Sequence, residues 1–194
     1  MRRMSVGGIG VVTLLACAGG VTAQVPPAEM QIAGAVSAAP EALRATATVI
    51  GYSNYHRLIT LREGTGEMVC LADDPSDERW QVSCYHRDLE PFMRRGRELK
   101  AKDLSRGQED SVRLAEIKSG ALKMPDGPRA LFNLYASVDS VDHTTGLAHH
   151  PGALQVVYIP YATQESTGLP VKPSDGLPWI MYPGTPWAHI MIAK

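Results

Sequence analysis

The spacing of apolar residues along the chain changes period several times, and each change predicts an element. Residues 29–38 carry Met30, Ile32, Ala33 and Val36 among alanines, which predicts a short helix ending before Pro40, with Pro40–Ala45 as a second helical turn. ATATVIGY, residues 45–52, is β-branched and predicts a strand. Arg57–Arg62 alternates, and GTGEMVCLA follows a Gly-Thr-Gly break, so a hairpin is expected between the two. DDPSDE, residues 73–78, is a charged turn before the next strand, WQVSCY from Trp80, and the reading here is a meander. Asp88 can cap a helix beginning at Leu89. Leu89, Phe92, Met93, Gly96 and Leu99 share one of its faces, opposite Arg94, Arg95, Arg97, Lys100 and Lys102. A weaker helical pattern covers 108–122, and strands follow at 129–137 and 153–161, the latter apolar on both faces. After a Gly/Pro/Ser-rich loop at 162–177 comes the densest apolar and aromatic run outside the leader, PWIMYPGTPWAHIMIA, residues 178–193. Pro183 and Pro186 cannot donate to a ladder, so two short strands hinged at Gly184 are predicted there rather than one helix.

The first 23 residues follow a different logic. Arg2 and Arg3 precede an apolar stretch from Val6 to Ala18, and Val21-Thr22-Ala23 is a small-residue site before Gln24, the pattern of an export signal. The apolar stretch falls short of the roughly 20 residues that span a bilayer, and no later stretch approaches that, so no transmembrane segment is expected once the signal is removed. A competing reading takes Leu14–Cys17 as a lipoprotein box with Cys17 lipidated. Cleavage after Ala23 is preferred, placing residues 24–194 in the periplasm or outside the cell, with a lipid-anchored envelope lipoprotein as the alternative.

Composition narrows the partners. The chain of 194 residues less 23 leaves 171, a common size for one domain. Two of its 19 basic residues leave with the leader, so 17 stand against 20 acidic ones, and nothing favours nucleic acid. The basic helix face has no aromatic residues interleaved and reads as solvated. Cys70 and Cys84 remain as an even pair in an oxidising compartment, and the turn between their strands brings them together, so they are expected to form a disulfide.

SAAPEALRATATV, LREGTGEMVCLADDP, a second cysteine with the helix HRDLEPFM, and the terminal PWAHIM resemble, in order and spacing, a family of uncharacterised exported bacterial proteins. Ala188 is an extra residue between Trp187 and His189 relative to that pattern, and residues 103–150 do not align with it. The resemblance implies export and the cysteine pair, and no mechanism.

Candidate chemistry is sparse. CxxC, HExxH, S-x-x-K, Gly-x-Ser-x-Gly and phosphate-loop patterns are all missing, so no cofactor is expected. Asp139, Asp142, His143, His149 and His150 bring metal-ligating groups together within twelve residues. Their spacing fits no standard site, and a solvated loop is preferred over a divalent-metal site held by His143, His149 and His150. His189, in the closing strand, is the one catalytic candidate, although such a histidine is more often a hydrogen-bonded core residue. Tyr158, Tyr161, Trp179, Tyr182 and Trp187 gather around the Pro/Gly-rich loop and are the candidate ligand-binding surface.

The expected fold is α+β in a single domain: an antiparallel sheet of about five to seven strands with two or three helices packed on one face. No function is assigned outright. The preferred class is a non-catalytic envelope protein that binds a small molecule or another envelope protein through residues 158–189. The alternative is a hydrolase or metal-dependent enzyme using His189 with the 139–150 loop.

Overall fold

The structure is a computed structural model and describes residues 24–174 and 176–193. The leader, with Arg2, Arg3, Cys17 and both readings of its processing, lies outside the described residues. Eight strands form one sheet: β1 Thr48–Tyr52, β2 Leu58–Arg62, β3 Met68–Leu71, β4 Arg79–His86, β5 Arg129–Ser137, β6 Gly152–Tyr158, β7 Trp179–Met181 and β8 His189–Ala193. Their order across the sheet is β2-β1-β3-β4-β5-β6-β8-β7. The helices are α1 Ala28–Ser37, α2 Glu41–Arg44, α3 Glu90–Lys100, α4 Arg106–Lys118 and α5 Gln164–Thr167. The α+β class holds, with more strands than the expected five to seven.

Two features of the expectation change. The helices divide between both faces instead of sharing one. On the first face Val49, Cys70, Trp80, Val82, Cys84, Phe132 and Leu134 pack against Ala35 and Ala38, at the C-terminal end of α1. On the second, Val69, Tyr85, Leu131 and Val156 pack beneath Leu89 and Met93, and Phe92, Leu114, Ile117, Leu122 and Trp187 extend that layer over α4. The physical reason is visible in β5, where Leu131 faces one side and Phe132 and Leu134 the other; a strand apolar on both faces needs cover on both.

The second change concerns the predicted β2–β3 hairpin. β2 pairs antiparallel with β1, and β3 pairs parallel with β1 on its other edge, so β1 is inserted between the two. The Gly-Thr-Gly segment is a bridge across the start of β1. Gly64 N donates to Thr48 Oγ1 at 3.1 Å and Gly66 N to Thr46 O at 2.8 Å. A Cβ on Gly64 would lie 2.3 Å from Thr48 N, so the bridge can run this close only as glycine.

The rest of the sheet follows the sequence closely. β3 and β4 pair antiparallel with Cys70 opposite Cys84, and the two are joined by a disulfide. Closing a loop of about 15 residues contributes about 3 kcal/mol by constraining the unfolded chain. Two arginines of the basic face of α3 are paired: Arg95 holds Glu116 on α4 through contacts of 2.6–3.0 Å, and Arg97 donates to Glu90 and to Tyr85 Oη, both at 2.7 Å. The C-terminal run is the expected hairpin, with Gly184 in the left-handed region at φ 75° and β8 laid between β6 and β7.

Candidate functional site

The cleft on the first face of the sheet has a volume of about 640 Å³ and is built from three stretches distant in sequence, 24–34, 73–82 and 138–146. The arm before α1 is one wall. Although Gln24–Ala28 reads in sequence as a loose leader, Val25 is buried and Pro26 is anchored: Gln31 Nε2 donates to Pro26 O at 2.7 Å and to Tyr52 O at 2.9 Å. Gln31 Oε1 in turn accepts from Tyr52 N at 2.7 Å, so one buried amide ties the arm to the end of β1. The floor is apolar, with Met30 of α1 and Trp80 and Val82 of β4. The far wall is the loop after β5, contributing Val138, Val141, His143 and Gly146. That loop lies directly on α1, because a Cβ on Gly146 would meet Met30 O at 2.4 Å and one on Gly34 would meet Gly146 O at 2.7 Å. Two facing glycines thus set the width of the cleft.

The turn between β3 and β4 supplies its charge. Asp73, Pro75 and Asp77 line the cleft, and among the described residues no lysine or arginine does. Asp73 Oδ1 accepts from Gln81 N at 2.7 Å. Burial pushes the Asp73 carboxyl up to about 6, and the neighbouring Asp77 and Asp74 push the same way against the Gln81 hydrogen bond. Burial and the same three carboxylates also raise the Tyr52 phenol. Burial works on Asp74 too, but hydrogen bonds from the Ser76 hydroxyl and amide outweigh it and hold that carboxyl below its ordinary value. Three carboxylates stand together in this corner, and Asp73 is the one that is costly to ionise.

The candidate residues of the C-terminal run are distributed differently. Tyr158, Tyr182, Trp187 and His189 come together on the second face. The His189 ring is 4.8 Å from that of Tyr158 and 5.7 Å from that of Tyr182, and Trp187 stacks on Phe92 of α3 at 5.8 Å. His189 is buried, and its Nδ1–H donates to Trp187 O at 2.8 Å, leaving Nε2 as the acceptor. Burial lowers its pKa, so the ring is neutral, and burial raises Tyr158 to about 12. The Arg113 guanidinium lies 4.3 Å over the Phe92 ring and donates to Asp110 at 2.6 Å. Arg113 Nε and Trp187 Nε1 are buried without a hydrogen-bond partner among the described residues. Tyr161 stands apart in a left-handed turn at φ 64°, 59% exposed, and Trp179 lies half-buried in edge strand β7.

The 139–150 loop resolves into turn structure. Asp142 Oδ1 accepts from both the amide and the hydroxyl of Thr144, which hold its carboxyl down to about 2, and Asp142 O accepts from Gly146 N. His143 is exposed at the cleft, and Asp139, His149 and His150 are exposed elsewhere on the loop. Among the described residues no group of three or more His, Cys, Asp or Glu side chains is placed to hold a metal ion. Val141 and Ala148 pack on the α1 side of the sheet and His189 on the α3 side, so His189 and this loop do not converge.

The cleft itself was not read from the sequence, because its lining comes from segments up to about 120 residues apart, from Gln24 to Gly146. The one local signal was the acidic DDPSDE turn, residues 73–78, with Trp80 two residues beyond it. Compared with family models, with curated proteins and with solved structures, the chain gave no match, so the resemblance to the exported family rests on its motifs alone.

Proposed function

We propose that this is an exported, non-catalytic binding domain whose small-molecule site is the cleft between α1, β4 and the loop after β5. The observation that carries this reading is the cleft's combination of size and lining. Its volume of about 640 Å³ falls within the roughly 300–1,000 Å³ usual for small-molecule sites, and its walls are mostly apolar with a few polar groups, Gln31, Asp73, Asp77 and His143 among them. A binding role is favoured over a hydrolase or metal-dependent one because the groups an enzyme would need, His189 and the 139–150 loop, face opposite sides of the sheet. Export enters through the leader, with cleavage after Ala23. A chain beginning at Gln24 keeps its first residues in the cleft wall, since Val25 is buried and Pro26 is held by Gln31.

The test uses protein recovered from the periplasm after expression of the full chain. Its mass should correspond to residues 24–194, and it should enhance the fluorescence of the neutral apolar dye N-phenyl-1-naphthylamine. Val138→Trp, which puts an indole into the cleft from an exposed turn position, should abolish the enhancement, and Tyr161→Ser should not change it. Retention in the cytoplasm with the leader intact would remove the export reading. Dye binding lost in Tyr182→Ala but kept in Val138→Trp would move the site to the C-terminal aromatic group.

A further inference from the structure

We infer that the ligand of this cleft is a small organic cation with an apolar body, an amine or quaternary ammonium whose charge rests against Asp73 while its hydrocarbon part lies on Met30, Trp80 and Val82. The inference rests on the cleft being the binding site, and it adds the chemical class. The argument is one of complementarity. Asp73 Oδ1 is taken by Gln81 N, while Oδ2 accepts no hydrogen bond from the described residues. The cleft holds a second carboxylate, Asp77, with Asp74 just behind, and its lining includes no lysine or arginine among the described residues. An anionic ligand would be repelled by all three. A neutral apolar ligand would strip water from Asp73 and return nothing for it. A cation relieves both problems, and the apolar floor at Met30, Trp80 and Val82 rewards a hydrocarbon substituent over a bare metal or ammonium ion.

The same arrangement makes binding depend on pH. With its carboxyl near 6 in the empty cleft, Asp73 is ionised at pH 7.5 and largely protonated at pH 5. The groups around it are Asp74 and Asp77 on its own turn, Tyr52 of β1, Gln31 of α1 and His143 of the loop after β5. Because His143 also faces the cleft, a variant at Asp73 is needed to isolate the part that Asp73 plays.

Residues 24–194 would be titrated at pH 7.5 with hexyltrimethylammonium, 1-hexanol and hexanoate, each displacing N-phenyl-1-naphthylamine. The cation should bind about tenfold tighter than the alcohol, as one partly desolvated charge contact provides, and hexanoate weakest of the three. That ratio should shrink toward unity at pH 5, and at pH 7.5 in Asp73→Asn. Glu78→Gln, which removes a charge from the same turn outside the cleft, should leave it unchanged. Equal binding of hexanol and the cation, or a full cation preference kept by a folded Asp73→Asn, would overturn the ligand class and leave the cleft as a plain apolar site. Failure of the folded parent to bind either dye or cation would overturn the binding reading together with it.

Discussion

At the scale of single residues, the group with most leverage is Asp73, and its cost to the fold is measurable. The folded-state carboxyl titrates near 6 against an ordinary value of 3.8, so between those values the folded chain holds more protons than the unfolded one. Stability contributed at this position is therefore present at low pH and lost as pH rises from about 4 to 6, leaving a penalty at neutrality. Asp73→Asn keeps an oxygen for Gln81 N and removes that penalty. It should raise stability by about 1 kcal/mol at pH 7, a figure discounted for the partial exposure of the site, and by nothing near pH 3. Urea melts of the two proteins at both pH values check this; equal stability at pH 7 would mean that Asp73 ionises freely. Some residue-level facts were legible beforehand. The cysteine pair was, because the expected compartment, the cysteine count and an intervening turn all pointed to it. The shift at Asp73 was not, because it arises from burial beneath walls supplied by other segments.

Secondary-structure elements were legible wherever the apolar period was regular and their pairing was local. β3, β4 and the turn between them, the amphipathic α3, and the closing β7–β8 hairpin belong to this group. Partner choice for β2 was not legible, since alternation specifies which face a strand buries and says nothing about which neighbour it takes. The only cue was that GTG carries two glycines where one suffices for a hairpin, which makes sense once Gly64 and Gly66 are seen pressed against Thr46–Thr48. The hairpin at the C terminus carries the prediction for this scale. β8 is interior, pairing with β6 from Leu154↔Ala193 to Tyr158↔His189, and Ile180, Trp187 and Ala188 are buried. Deleting 178–194 uncovers that edge of β6 and removes several large apolar side chains, each worth about 1.5–3 kcal/mol, from a total stability on the order of 5–15 kcal/mol. The truncated chain should show no cooperative thermal transition by circular dichroism, and a transition near that of residues 24–194 would refute the role given to the hairpin.

For the whole molecule, the sheet divides two kinds of surface. On the α3 and α4 side, stacked rings and cross-helix ion pairs pack the layer around β6 and β8, where the histidine and most of the aromatics singled out in the sequence lie, and a separate hollow of about 660 Å³ beside it is lined by Ile50, Val69 and Met124 together with charges of both signs at Arg87, Glu90 and Arg129. On the α1 side the cover is a single main helix, and the space beside it is walled by the N-terminal arm, the acidic turn and the loop after β5. A lone helix over the β2-β1-β3-β4 half of an eight-stranded sheet leaves a flank to be filled by loops, and a loop seated on the helix through backbone contact, Gly146 against Gly34, leaves a cleft beside it. This division explains why the aromatic residues drew attention in the sequence while the cleft did not: density of apolar residues reports what is packed, and a binding site is what packing leaves open. Locating the bound dye tests the account most directly. In ¹H–¹⁵N correlation spectra of residues 24–194 titrated with N-phenyl-1-naphthylamine, the perturbed amides should fall within residues 24–34, 73–82 and 138–146. Perturbation centred on residues 158–189, or no perturbation at saturating dye, would contradict it.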